Sequence, residues 1–242
     1  MMGHQHALGA TAAWLAAAPA IDMVAHLSAP QVALGAVLAA GGGMLPDLDQ
    51  HGSTVARTYG PVTNVLARVV GWLAGGHRNG THSLLGLALL GVLAWALAVP
   101  LGVPWLTTWL LLGIGFRGLR ERRTRWYHQI GLSLFAAAVT GVLWLAGLPV
   151  ALPVIGGAVI GAASHIALDM LTPQRCPVWW LPEFLVRILR RCGRRGQAVA
   201  RAARKRYGVG LVTTGSRWTS PIVTWVLTAA VGASAFLALV AA

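Results

Sequence analysis

Apolar residues gather along the chain into seven runs, at about 7–27, 31–46, 83–101, 104–116, 130–147, 151–171 and 219–241. Most approach the roughly 20 residues that a helix needs to cross a hydrocarbon core of about 30 Å. Several are short or glycine-rich: the second carries Gly41, Gly42 and Gly43. Such runs suit half-spans, or helices deep in a bundle where small residues let backbones approach. Two further stretches have another pattern. Residues 51–76 space Val62, Val65, Leu66, Val69, Val70 and Leu73 among Arg57, Asn64 and Arg68. Residues 183–207 mix Phe184, Leu185, Ile188 and Leu189 with Arg187, Arg190, Arg191, Arg194 and Arg195. Both read as amphipathic helices lying on a membrane surface. The expected fold class is all-α: a polytopic membrane helix bundle of about six to seven apolar helices with amphipathic interfacial helices. It divides into a membrane-embedded domain (1–182), a basic interfacial segment (183–218) and a C-terminal transmembrane helix (219–242). No internal repeat stands out.

Composition agrees with that pattern. Of 242 residues 56% are hydrophobic and only 10% charged, and the mean hydropathy is +0.66, outside the range of soluble domains. Lys+Arg number 19 against 6 Asp+Glu, a net charge of +13. That balance suits nucleic acid or an anionic membrane surface, and its distribution decides between them. Basic residues cluster at 117–125 and 187–206, beside apolar runs, as positive-inside anchors and contacts to anionic headgroups do. No reading helix or aromatic-interleaved groove accompanies them, which disfavours nucleic acid. The two cysteines, Cys176 and Cys192, lie in the region expected to be cytoplasmic and are expected to stay reduced. Met1–His6 lacks the basic start of a cleavable signal, so the first apolar run is expected to be retained.

Placing both basic clusters in the cytoplasm fixes the direction of every run, and the parity closes. Four polar segments then fall at the same membrane face: 3–6 with His4 and His6, 45–51 with Asp47, Asp49 and His51, 77–83 with His77, Arg78 and His82, and 164–169 with His165 and Asp169. They hold six of the chain's eight histidines and three of its six acidic residues. Imidazole with carboxylate is the ligand set of zinc, manganese and iron hydrolase sites. His165 and Asp169, four apart on a helix, share one face, whereas His77 and His82 need the Asn79-Gly80 turn to bring them together. A carboxylate at membrane depth is costly unless paired or metal-bound, which singles out Asp169. Blander readings exist: His165 with Asp169 as a hydrogen-bonded pair, Asp47 and Asp49 as a solvated turn, Ser83 as a helix cap beside interfacial histidines, His4 and His6 as solvated terminal residues. Asp22 and His26 fall at the opposite face and read as a structural pair.

The succession LPDLD, HRNGTHS and SHIALDMLTP, with a histidine near the start and Pro182 downstream, resembles the YdjM-like family of inner-membrane proteins regarded as metal-dependent hydrolases. The match runs from His4 to about Pro182; the Arg-rich segment and last helix carry no matching motif. The resemblance implies a metal site built from His4, Asp47, Asp49, His77, His82, His165 and Asp169. Residues 174–176 depart from the pattern, which bears on the loop and not on the ligands. The His-x-x-x-Asp pair also looks like ligand pairs of zinc-dependent phospholipase C and single-strand nucleases, which would point to phosphoesters.

The expected activity is hydrolysis by a water activated on a divalent ion, zinc first and manganese or iron as alternatives. Asp47 or Asp49 would accept the proton, and Arg78 would grip a phosphate or carboxylate through its planar fork. Access from the bilayer points to a lipid or other amphiphile as substrate, in the inner membrane, with the site on the cytoplasmic side. The rivals are a metal-ion transporter and a structural bundle with a polar cluster.

Overall fold

The computed structural model describes residues 3–119, 126–212 and 219–240. All seven apolar runs are helices: α1 (Gly3–Ala25), α2 (Ala29–Gly42), α4 (Leu84–Ala98), α5 (Pro104–Leu119), α6 (Trp126–Leu145), α7 (Ala151–Met170) and α10 (Thr219–Val240). The two amphipathic stretches supply α3 (Pro61–Leu73), α8 (Glu183–Arg191) and α9 (Gly193–Ala202). A two-residue antiparallel ladder, β1 (Cys176–Pro177) with β2 (Arg206–Tyr207), ties the loop after α7 to the end of the basic segment. Residues 120–125, most of the first basic cluster, lie outside the described residues. Cys176 is buried and Cys192 exposed, and both are free thiols.

Four segments are long and apolar enough to cross a membrane, Gly3–Ala25, Ala29–Asp49, His128–Leu145 and Ala151–Met170, while Leu84–Ala98 and Ser220–Phe236 are shorter. The chain is a membrane protein by this measure, and its surface agrees. Leu89, Leu93, Leu134, Val142, Trp225 and Phe236 are all more than half exposed, an apolar girdle that water would not tolerate and lipid does.

The centre of the bundle is α2 against α7, with α1, α5 and α4 around them. Small residues make that contact close. A Cβ at Gly42 would lie 2.3 Å from the carbonyl oxygen of Gly157, and one at Gly161 would lie 2.4 Å from that of Ala39. Backbone therefore packs on backbone, as in other membrane helix pairs. Trp14 is fully buried against Gly35 and Gly156 and donates its indole N–H to the Val32 carbonyl at 2.8 Å. The last helix returns to lie along α1, where the Gln5 amide donates to the Ser220 carbonyl at 2.9 Å. Through this packing the N-terminal ends of α1, α4 and α10 and the C-terminal ends of α2 and α7 share one end of the bundle.

Candidate metal centre

At that shared end, three short turns interrupt the helices. Gly41 to Gly43 close α2 and lead into a 3-10 turn, Pro46–Asp49, begun by proline and carrying both aspartates. After α3 the chain turns through Gly75 and Gly76, both with positive φ, and reaches a second 3-10 turn, Gly80–His82. Ser83 then caps α4, its hydroxyl accepting from the Gly86 N–H at 3.1 Å. From α7, His165 and Asp169 project into the space between these turns.

The side chains converge tightly. His82 Nε2 lies 3.1 Å from His165 Nε2 and 3.5 Å from Asp169 Oδ2, and His165 Nε2 lies 3.7 Å from the same oxygen. Asp47 Oδ1 stands 3.6 Å from His165 Nε2 and 3.9 Å from His82 Nε2. His82, His165 and Asp169 are 0–1% exposed, whereas the Asp47 side chain keeps 17% of its surface open. A triangle with a mean edge of about 3.4 Å is the face of a tetrahedron whose centre lies about 2.1 Å from each corner, a zinc–ligand distance.

Hydrogen bonds set which nitrogen faces the centre. His165 Nδ1 is 2.6 Å from the Gly43 carbonyl, to which it can only donate, so Nε2 presents its lone pair inward. The Thr81 hydroxyl gives its proton to Asp49 Oδ2 and accepts from His82 Nδ1 at 2.9 Å, which again leaves Nε2 inward. Asp49 is wholly occupied in this outer layer: it meets His77 Nδ1 at 2.8 Å, accepts from the Arg78 backbone N–H at 3.2 Å and lies 3.5 Å from His82 Nδ1. A carboxylate behind a histidine is the usual device for orienting a metal ligand.

Arg78 has a left-handed backbone, φ 59°, a conformation costing about 1 kcal/mol for a residue with a side chain. Its guanidinium donates to Asp169 Oδ1 and to Thr172 Oγ1, each at 2.8 Å. The expected substrate fork is therefore engaged in holding Asp169. Burial acts to lower the pKa of His82, but contacts with Asp169 and Asp49 and the nearby charge of Asp47 outweigh it and raise the value to about 9. At neutral pH this favours the charged form of His82 in the ion-free protein.

Of the residues expected at the site, Asp47, Asp49, His77, Arg78, His82, His165 and Asp169 come together. His4 does not: its Nε2 lies 3.1 Å from Thr224 Oγ1 on α10. His6 takes the place beside the centre. It is buried, stacks on His165 with ring centroids 3.6 Å apart and brings Nε2 within 3.4 Å of Asp169 Oδ1. His51 is exposed on the loop after the first turn. Besides that triangle, three overlapping sets among the described residues are spaced to hold an ion: His6, His165 and Asp169; Asp47, His82 and His165; Asp49, His77 and His82. Thr81, Thr172 and the Gly43 carbonyl belong to the site without a signal of their own in the sequence, although Thr81 and Thr172 sit inside the HRNGTHS and SHIALDMLTP segments.

A family model described as YdjM inner membrane protein matches residues 1–241, the basic segment and last helix included. No curated protein and no solved structure matches the chain.

Proposed function

The chain belongs to the YdjM inner membrane protein family, and we propose that it is a membrane-bound metal-dependent hydrolase acting on a lipid or other amphiphile, a phosphoester in the first instance. The observation that carries this reading is the buried triangle of His82 Nε2, His165 Nε2 and Asp169 Oδ2, with edges of 3.1, 3.5 and 3.7 Å. Two imidazoles and a carboxylate are a catalytic zinc set that leaves a fourth position open, and manganese or iron accept the same donors.

A divalent ion there would supply a Lewis acid that polarises the scissile group and brings a water's pKa toward neutrality. The chain's own residues do the rest. Asp47, the most open of the cluster's three carboxylates, with Oδ1 3.6 Å from His165 Nε2 and 3.9 Å from His82 Nε2, accepts the proton. Asp49, through the Thr81 hydroxyl, and the Gly43 carbonyl keep His82 and His165 in the tautomers that face the ion. Arg78 fixes one oxygen of Asp169 and leaves the other for the centre. His6 covers the inner side of His165 against solvent.

A transporter would set its ligands near the bilayer midplane on broken helices. Here they gather at helix ends, which supports hydrolysis over transport. Arg206 donates to Asn79 at 2.8 Å, so the basic segment reaches the same end, and the positive-inside rule supports a cytoplasmic position for it.

Metal analysis of the purified protein beside His82→Ala, His165→Ala and Asp169→Asn tests the assignment, with hydrolysis measured on phospholipid, polyprenyl phosphate and carboxylic ester substrates. The expected result is close to one equivalent of ion in the parent, lost from all three variants, and turnover abolished by a chelator. Undiminished metal in all three would sink the site.

A further inference from the structure

Beside the cluster lies an apolar cavity of about 590 Å³, walled by α3, α4, α5 and α7 through residues such as Leu66, Leu90, Leu110 and Ala158. The space is open along one side, so an apolar occupant can enter it from the bilayer. One end is bounded by Pro46, Gly80 and Thr81, the chain neighbours of Asp47 and His82. From there the cavity follows α4 from Leu85 to Leu97 and reaches Thr107 near the start of α5. Twelve helical residues rise about 18 Å, close to the depth of one leaflet's tails, about half of a 30 Å hydrocarbon core. Leu89 and Leu93 line the cavity and are 61% and 54% exposed, so it opens sideways toward the bilayer.

The dimensions select the occupant. Spread over that length, the volume gives a mean cross-section near 33 Å², a column about 6–7 Å wide, whereas a helix with side chains is about 10–12 Å across. A helix from a partner does not fit, and a single hydrocarbon chain does.

We propose that this groove receives one hydrocarbon chain of a membrane amphiphile from the adjoining leaflet, with its polar head at the Asp47–His82 end. The inference rests on the hydrolytic reading only for the fate of that head; chain binding stands by itself. It gives substrate selection a physical basis: the groove measures a tail, and the turns carrying Asp47 and His82 meet whatever is attached to its end.

The test uses the full-length protein in phosphatidylethanolamine/phosphatidylglycerol vesicles doped with phosphatidylglycerol bearing a diazirine on its acyl chain, with a chelator present to prevent turnover. After irradiation, labelled residues are mapped by mass spectrometry. Labelling is expected to concentrate on Leu90, Leu97 and Leu110 over the lipid-facing residues Leu134 and Val142 of α6. Leu90→Trp, which fills the groove midway, and Leu97→Trp, which fills its deep end, should each reduce groove labelling several-fold, whereas Leu134→Trp should not. Two fillers keep the test decisive if one variant fails to fold. Labelling spread evenly over all lipid-facing helices, or unchanged by the folded filler variants, would overturn the proposal. Because labelling needs no turnover, its loss with hydrolysis intact sinks the groove alone, and its presence without hydrolysis of any substrate sinks the hydrolase alone.

Discussion

Asp169→Asn keeps the shape of the side chain and removes its charge, and the structure says what that should cost. Asp169 is 1% exposed and its Oδ1 meets the buried guanidinium of Arg78 at 2.8 Å. Without the negative charge, Arg78 remains a cation in a dry site with only neutral acceptors, the Thr172 hydroxyl and an amide oxygen. Stranding one member of a buried pair typically costs about 3–5 kcal/mol. For a chain of this size each kcal/mol lowers Tm by roughly 2–4 °C, so the ion-free variant should unfold roughly 6–20 °C below the parent. Arg78→Met placed on Asp169→Asn removes the stranded cation and should recover more than half of the loss, because the penalty lies in the unpaired charge and not in the missing bond. The ion should not return in either variant. Thermal unfolding with a chelator present, followed by metal analysis after reconstitution, reads both quantities. A loss below about 1 kcal/mol, or a double variant no more stable than the single one, would refute the claim that Arg78 and Asp169 stabilise one another. Retention of the ion by Asp169→Asn would refute the claim that the carboxylate also faces it.

Asp49→Asn should weaken metal affinity by about 10- to 100-fold without abolishing binding, since Asp49 orients His82 from behind; a competitive chelator titration measures it, and loss as complete as in His82→Ala would make Asp49 a ligand instead. Asp47→Asn should keep the ion and lose about 10²- to 10⁴-fold in turnover as the proton acceptor disappears; metal analysis and rate are read on the same preparation. Ion binding at pH 7.5 should release close to one proton, because His82 with its pKa of about 9 is charged in the ion-free protein. The sign follows: this raised pKa stabilises the ion-free fold fully below the ordinary histidine value of 6.5 and ceases to do so as pH rises through about 9. Calorimetry in two buffers of different ionisation enthalpy counts the proton, and none released would contradict the assignment. Gly161→Ala should destabilise by about 1–3 kcal/mol and weaken metal binding, because its Cβ would meet the Ala39 carbonyl at 2.4 Å and the Gly43 N–H nitrogen at 2.6 Å, separating α7 from the carbonyl that orients His165; unchanged metal affinity in the folded variant would break that link.

The sequence reveals the helices because the bilayer imposes one length and one polarity on each, so Leu84–Ala98 or Ala151–Met170 can be found without knowing a neighbour. Parity does the same for the site, since polar segments at the ends of antiparallel runs must return to one end of the bundle. Sequence resolves side-chain direction less well. His4 and His6, two apart on a helix, project to nearly opposite sides, so only one can enter the cluster. The selection depends on α1 packing against the end of α2: the His6 carbonyl and the Ala10 methyl group lie where a Cβ on Gly43 would go, 2.9 and 2.6 Å from it, and this turns His6 inward and His4 toward Thr224. Asp47 and Asp49 pose the same problem in a 3-10 turn. Two residues of such a turn rotate a side chain by about 240°, so neighbouring carboxylates that look interchangeable in the sequence face different partners. One fronts the two imidazoles and stays open to an incoming molecule; the other is sealed behind His82. Arg78 is the sharpest instance, since a lone cation beside predicted ligands reads as a substrate clamp until the fold shows a buried Asp169 already in its grip. Residue type thus identifies the chemistry available at the cluster, and the packing of Gly43, Gly161 and the two turns assigns it. Substitutions at these small residues should therefore disturb the metal centre as surely as changes to its ligands.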